Sequence, residues 1–172
     1  SCDESQQKVR SVKLLLAGLL ASLGVSVFAQ DCGPDTPCEI AGGDYHLRLP
    51  DGPGPHPVLI WYHGHRGNGA SIHRCGGLKQ DFLDQGYALL APNGFRRGQG
   101  SRSYPARDGA PRDDVAFTFA VLGAAKTRAN LDMTRVYAGG FSAGGSMAWL
   151  LACQAGERLA GMVSVAGALR RP

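Results

Sequence analysis

The sequence of 172 residues has few charged side chains, few aromatic ones and no membrane-length hydrophobic run. Charged residues make up 19% and aromatic residues 8%, and the net charge of +4 is spread along the chain, so a nucleic-acid partner is not indicated. The apolar stretch from Leu14 to Phe28 is about 15 residues, whereas a transmembrane helix needs nearer 20. No internal repeat or heptad pattern is present, and the length predicts a single globular domain with a sizeable core.

The first 29 residues have the pattern of a secretory signal. A basic segment precedes the apolar stretch, and Val27 and Ala29 place small residues at the −3 and −1 positions of a cleavage site. Residue 1 is not methionine, so residues 1–7 are interpreted as upstream read-through. The sequence therefore predicts an exported protein whose mature part is 30–172, with no membrane span after cleavage. The basic residues are Lys8, Arg10 and Lys13.

The mature part holds four cysteines, which export would allow to form disulfides. Four cysteines permit three pairings. Cys32 and Cys38 bracket a tight turn rich in glycine and proline, which favours a bridge between them. For Cys75 and Cys153 three alternatives stay open: a second disulfide, free buried thiols, or pairing with cysteines outside this chain.

Apolar runs alternate with helical patterns, which predicts an α/β fold. Continuous apolar runs such as Val58–Tyr62 are typical of strands buried on both faces of a parallel sheet. Short loops between strands and helices favour right-handed crossovers. The predicted strands are 45–49, 58–62, 87–91, 135–139 and 162–166; the predicted helices run from a cap at Ser71 to Gly86, from Val115 to Lys126 and from Met147 to Cys153; 94–112 is predicted to be loop.

Gly140-Phe141-Ser142-Ala143-Gly144 lies between a predicted strand and a predicted helix, which is the context of a nucleophile elbow. A glycine stands two residues before and two residues after Ser142, because the turn is too tight for side chains there. The start of the following helix would direct N–H groups towards the serine. The alternative is that Gly140 and Gly144 only pack a helix against a strand.

His63-Gly64-His65 follows an earlier buried strand, where hydrolases with such an elbow place their second oxyanion donor. The main-chain N–H groups of His65 and Ala143 are the predicted oxyanion hole. Three histidines, His63, His65 and His73, also allow the alternative of a metal site. A further alternative makes His63 the catalytic base. The basic segment 94–112 is either a solvated face or the rim of an active site.

Four segments resemble the secreted α/β-hydrolase esterases of the polyhydroxybutyrate depolymerase and feruloyl esterase type. They are "PVLIWYHGHRGNGAS", "YALLAPNGF", "DDVAF" and "NLDMTRVYAGGFSAGGSMAWLLAC", and the similarity covers residues 31–170. The lead-in to the elbow is also similar to that of prolyl-oligopeptidase-like hydrolases. The resemblance implies a mostly parallel sheet with helices on both faces and a monomeric enzyme that cleaves a carboxylic ester, polymeric or small. Ser142 would attack, His65 and Ala143 would hold the oxyanion, and no metal or organic cofactor is implied.

The sequence departs from that family after the elbow. The family carries its acid after a seventh strand and its histidine after an eighth, whereas the last strand predicted here, 162–166, corresponds to the family's sixth and no aspartate or histidine follows Ser142. We therefore expect a partial α/β-hydrolase domain whose last strand is an exposed, apolar sheet edge. Two alternatives are a non-catalytic binding protein with a hydrolase-like scaffold and a peptidase of the prolyl-oligopeptidase-like type.

Overall fold

A six-stranded sheet forms the centre of the structure. The computed structural model describes residues 32–97, 101–104 and 110–168. The strands of this sheet are β1 Cys38–Ile40, β2 Gly43–Arg48, β3 His56–Tyr62, β4 Ala88–Pro92, β7 Leu131–Phe141 and β8 Gly161–Val165, and a separate two-stranded sheet holds β5 Phe95–Arg97 and β6 Ser101–Ser103. In the large sheet the strand order is β1-β2-β4-β3-β7-β8. Strands β4, β3, β7 and β8 are parallel, and β2 pairs antiparallel with β4.

Helices cover both faces of this sheet. They are α1 Ala70–Arg74, α2 Gly76–Asp84, α3 Asp114–Lys126 and α4 Ala143–Ala155, followed by a 3-10 turn at Gly156–Arg158. Tyr62 of β3 donates to or accepts from Thr118 of α3 at 2.9 Å, while Leu59, three residues earlier, shares a cavity with Phe82 of α2. Because side chains alternate along a strand, these contacts put α3 and α2 on opposite faces. The predicted α/β-hydrolase fold class is confirmed.

The main core lies on the face covered by α3 and α4. Val58, Ile60 and Tyr62 alternate along β3 into this core and are fully buried. Apolar residues at helical spacing meet them from the two helices. They include Phe117, Val121 and Leu122 of α3 and Met147, Ala148 and Leu151 of α4. Asp113 caps α3 by accepting from the N–H groups of Val115 and Ala116.

Three segments differ from their prediction. The helix expected from Ser71 to Gly86 is two helices, because Cys75 has an extended backbone (ψ 91°) and two glycines, which are poor helix formers, follow it. Ser71 lies inside α1 rather than at its cap. The segment 94–112 contains the β5–β6 hairpin. Strand β7 begins at Leu131, earlier than expected, because its first residues pair with the start of β3 before a bulge at Pro57/Val58.

The predicted Cys32–Cys38 bridge is confirmed, whereas Cys153 matches none of the alternatives stated for it. Cys32 and Cys38 form a disulfide. Cys153 is a free, exposed thiol, so a Cys75–Cys153 bridge is not made. Strand β8 is the edge of the described sheet, and Val163 and Val165 are 46% and 43% exposed there.

The predicted signal at 1–29 lies outside the described residues. Within the part of the chain that is described, no helix has the length and apolar character required to cross a membrane.

Candidate active site

Ser142 lies on the turn that joins β7 to α4. Its backbone has φ 53° and ψ −115°, a region that a residue with a side chain seldom adopts. The surrounding structure holds it there: the Ser142 N–H donates to Val165 O at 2.8 Å, and its carbonyl accepts from Ser146 N at 3.0 Å. Strained positions of this kind cost about 1–3 kcal/mol and cluster at functional sites.

The two glycines of the motif are required by close main-chain approaches. A Cβ at Gly140 would overlap the main chain of Gly144. A Cβ at Gly144 would overlap the carbonyl of Tyr62 and come within 2.6 Å of His63 O. The turn therefore folds back so closely on itself and on the end of β3 that neither position has room for a side chain.

The loop after β3 runs alongside this turn. A Cβ at Gly64 would lie 3.2 Å from the Phe141 ring and 3.5 Å from Phe141 O, so the glycine lets the loop approach the residue that precedes Ser142. Ala143 is the first residue of α4, where a helix leaves its N–H groups without an intrahelical acceptor. Among the described residues, neither the His65 N–H nor the Ala143 N–H has a main-chain acceptor. Two N–H groups without a main-chain acceptor in the described ranges thus belong to the turn of Ser142 and to the loop beside it.

His63, the first residue of the loop after β3, has a buried side chain. Its ring lies 4.9 Å from the ring of Tyr104, and burial lowers the pKa of the imidazole to about 4. Burial also raises the pKa of the Tyr104 hydroxyl, which donates to Pro92 O at 2.8 Å. The His63 and Tyr104 side chains are therefore both uncharged at neutral pH.

The three histidines of the metal-site alternative do not come together. His63 hydrogen-bonds to main-chain groups of Gly64 and Gly94, His65 is exposed, and His73 is buried with its ring 6.1 Å from that of His46. Within the described ranges no group of three or more histidine, cysteine or acidic side chains is placed to hold a metal ion.

Two arginines of the basic segment 94–112 form internal ion pairs. Arg102 pairs with Asp44 at 3.1 Å, and Arg112 pairs with Asp114 at 2.6 Å, with its guanidinium 3.9 Å from the Phe117 ring centre. A polar groove of about 210 Å³ lies over these groups. Arg102 and Arg112 therefore stabilise the fold through ion pairs. Neither of the two alternatives stated for this segment, a solvated face or the rim of an active site, fully describes these two side chains. Residues 98–100 and 105–109 of this segment lie outside the described residues.

Sequence reasoning missed the polar hub at Asn93 and Asp44. The side chain of Asn93 accepts from Gly69 N at 2.6 Å and donates to Asp44, and Asn93 N donates to Asp44 O at 2.9 Å. This hub joins the end of β4 to the start of β2 and to the loop after β3. A buried asparagine at the carboxyl end of an apolar strand was the available signal, because such a group must find partners.

No base is assembled with Ser142 in the described part of the chain. No hydrogen bond joins the Ser142 hydroxyl to any described side chain, and His46, His56 and His63 all contact main-chain carbonyls instead. A serine needs a histidine to accept its proton before it becomes a useful nucleophile. The described residues thus supply the turn and two candidate oxyanion donors.

A comparison with models of protein families shows to which family the chain belongs. The model of the dienelactone hydrolase family matches residues 44–172, three quarters of the chain. The chain belongs to the dienelactone hydrolase family. Among curated relatives of this family member, a putative esterase NocK from Nocardia uniformis subsp. tsuyamanensis is 35% identical over 125 residues, covering 72% of this chain and 36% of the relative. Feruloyl esterase C from Emericella nidulans is 33% identical over 125 residues, covering 67% of this chain and 43% of the relative.

Solved structures show the same fold. A fluorophosphonate-binding serine hydrolase of Staphylococcus aureus, FphF, matches with a TM-score of 0.61 at 14% identity, covering 73% of this chain and 51% of that one. The S-formylglutathione hydrolase FrmB of the same organism matches with a TM-score of 0.58 at 16% identity, covering 74% and 52%. The chain thus belongs to a hydrolase family with esterase relatives, and it spans 36% to 43% of the length of the two curated relatives.

Proposed function

We propose that this protein is the elbow-bearing part of an exported serine esterase. The Ser142 hydroxyl attacks the carbonyl carbon of a carboxylic ester while a histidine takes its proton, and the His65 and Ala143 N–H groups stabilise the oxyanion. Collapse of that intermediate expels the alcohol, which receives the proton, and leaves an acyl group on Ser142. Water then attacks the acyl-enzyme, which releases the acid and restores the hydroxyl.

One observation carries this proposal: the strained backbone of Ser142 between Gly140 and Gly144. A merely structural turn at this place would gain free energy from a glycine or from an unstrained backbone. The turn that carries Ser142 also lies close to the loop of His65, since Gly64 approaches Phe141, and this supports the proposal. This is the arrangement a nucleophile elbow requires.

We assign the histidine and the acid to sequence that follows residue 172. No histidine or aspartate lies between Ser142 and Pro172. The length of the curated relatives, of which this chain spans less than half, supports the assignment. Sequencing the gene past the Pro172 codon tests it: a continuing frame that encodes an aspartate and then a histidine is the expected result, and a stop codon there would contradict it.

For the substrate we propose a carboxylic ester with a feruloyl, acetyl or hydroxyalkanoate acyl group. The similarity to feruloyl esterase C supports the first of these. The Cys32–Cys38 disulfide supports export, since disulfides persist in oxidising compartments. No metal or organic cofactor is needed for the steps above.

The test is hydrolysis of a short-chain nitrophenyl ester by the complete gene product and by two serine variants. Ser142→Ala is expected to abolish turnover. Ser146→Ala is the matched control one turn further along α4, and it is expected to keep turnover because the hydrogen bond that its hydroxyl makes within the described residues is one accepted from Ala168 N. Equal activity of Ser142→Ala and wild type would refute the serine mechanism. Binding of the ester without turnover would favour the non-catalytic scaffold, and cleavage of peptides alone would favour the peptidase.

The 172-residue chain by itself is expected to show little turnover. Without a base, only oxyanion stabilisation and binding effects remain. Turnover by this chain at the level of the complete product would mean that an upstream histidine acts as the base.

A further inference from the structure

His63 occupies a special place between two loops at the carboxyl edge of the sheet. The side chain is only 2% exposed. Its Nδ1 lies 2.7 Å from the carbonyl oxygen of Gly64, and its Nε2 lies 3.0 Å from the N–H of Gly94. Both ring nitrogens are therefore engaged by main-chain groups, one from each loop.

These two partners determine where the imidazole proton sits. A main-chain N–H can only donate, so Nε2 must accept from Gly94 and carries no proton. The proton of the neutral ring is then on Nδ1, which donates to the Gly64 carbonyl. Burial lowers the pKa of His63 to about 4, so this neutral form persists at neutral pH.

The Gly64 carbonyl belongs to the same peptide group as the His65 N–H. A trans peptide is planar, and its C=O and N–H point in opposite directions. The carbonyl is held by two donors, His63 Nδ1 and Gly67 N at 3.0 Å. Fixing the carbonyl on the inner side of the loop therefore directs the His65 N–H to the outer side.

The rest of the loop is anchored to the stretch after β4 and to β6. Gly69 N donates to the Asn93 side chain at 2.6 Å, and Arg66 N donates to Arg102 O at 3.0 Å. Asn93 and Gly94 are consecutive, so one short stretch after β4 holds both ends of the loop that begins at His63. A peptide held in this way needs no reorganisation when negative charge develops beside it, which is what makes an oxyanion donor effective.

We propose that His63 is the positioning residue of the oxyanion loop, its neutral Nδ1–H form locking the Gly64–His65 peptide with the His65 N–H directed at the oxyanion formed over Ser142. The inference rests on the proposed function for its catalytic consequence. It also removes His63 from the role of base, because neither ring nitrogen is free to accept the proton of Ser142.

The first test reads the tautomer directly and needs no turnover. Histidine is labelled with ¹⁵N in the complete gene product, and the His63 signal is assigned by its loss in His63→Asn. At pH 7 we expect a protonated Nδ1 and an unprotonated Nε2, with the ring staying neutral until the pH approaches 4. A proton on Nε2, or a doubly protonated ring at pH 6, would overturn the proposal.

The second test compares His63→Leu with His63→Asn in the complete gene product. Leucine removes the donor to Gly64, whereas the asparagine amide places an N–H close to the position of Nδ1. We expect His63→Leu to lower kcat about 100-fold with KM changed less than about threefold, the size of effect seen when an oxyanion donor is lost. His63→Asn is expected to recover at least about tenfold of that loss.

His56 provides the matched control at the other end of β3. It is also buried, and its Nε2 contacts a main-chain carbonyl, that of Gly52, at 3.2 Å. Leucine there is expected to lower stability without changing kcat. Equal losses of kcat for leucine and asparagine at 63, or a kcat of His63→Leu within threefold of wild type, would overturn the inference. If Ser142→Ala kept full activity, the proposed function itself would fail, which is a different outcome.

If His63→Leu does not fold, the proposal is tested by the kcat of His63→Asn and by the tautomer measured in the first test.

Discussion

Strand β3 has a buried histidine at each end, and the two ends differ in what surrounds it. His56, at the start, lies among turns: its ring contacts Gly52 O and its N–H donates to Asn130 O at 2.9 Å. His63, just past the last residue, lies where main-chain atoms of β3, of the loop after β4 and of the elbow come together. His56 thus contacts a turn at one end of β3, whereas His63 contacts two loops at the other end, where we propose that it positions the Gly64–His65 peptide.

The ion pairs near the two ends of β3 also differ, in how deeply they are buried. At the His56 end, Arg135 pairs with Asp132 at the surface, with the arginine side chain 51% exposed. At the His63 end, the side chains of Arg112 and Asp114 are 10% and 3% exposed, and Arg112 also donates to Gly42 O and Asn93 O. Buried pairs make a structure costly to alter, whereas exposed pairs are screened by water. The candidate active-site end of the sheet should therefore tolerate substitution least.

The largest effect is expected at the elbow glycines. Gly144→Ala should lower the free energy of unfolding by more than about 3 kcal/mol, because its Cβ would overlap the Tyr62 carbonyl and main-chain atoms cannot swing away. Gly123→Ala in α3 is the control: space is open there, and alanine should stabilise the helix by about 0.5–1 kcal/mol. Urea unfolding measures both. A loss below 1 kcal/mol at 144 would contradict the close packing of the elbow.

The second largest effect on stability is expected at the buried ion pair of Arg112 and Asp114. Arg112→Met should cost about 3 kcal/mol, since it leaves the Asp114 carboxylate without its guanidinium partner and Asn93 O without a donor. The corresponding change at the other end, Arg135→Met, should produce a change too small to measure by thermal or urea unfolding. Similar losses in the free energy of unfolding for the two variants would contradict the proposed difference between the two ends of the sheet.

The pH dependence comes third and rests on His73. Burial, with the nearby His46 and cationic side chains Arg48, Lys79 and Arg74, lowers the pKa of His73 to about 3. The unfolded state therefore binds a proton below about pH 6.5 that the folded state does not, and stability falls as the pH falls towards 3.

His73→Phe should remove this contribution, which amounts to about 1.4 kcal/mol per pH unit between pH 6 and 4. Urea unfolding at a series of pH values gives the slope, and His65→Gln, at an exposed side chain, is the control that keeps it. An unchanged slope in His73→Phe would mean that the ring is not buried in its neutral form.

The smallest expected effect is a gain. Ser142→Gly should stabilise the protein by about 1 kcal/mol, because glycine adopts φ 53° without strain. Ser142→Ala keeps the strain and should show no such gain. If both variants have the stability of the wild type, the backbone of Ser142 is not strained in solution.

The sequence was sufficient for those parts of the site that depend on local pattern. The buried run 58–62 and the glycines around Ser142 each follow from residues close together in the chain. The break of the helix at Cys75 and the early start of β7 were not predicted, because they depend on backbone geometry and on pairing with a distant strand. The contacts of Asn93 and His63 also join residues far apart in sequence, so no local pattern specifies them.

The central claim is that Ser142 is the nucleophile, and trapping the acyl-enzyme tests it most directly. The complete gene product is quenched in acid during turnover of a short-chain nitrophenyl ester, digested and analysed by mass spectrometry. We predict one acyl group on the peptide that contains Ser142, and none on that peptide in Ser142→Ala. An acyl group on another residue, or rapid hydrolysis with no acylated peptide, would contradict the account.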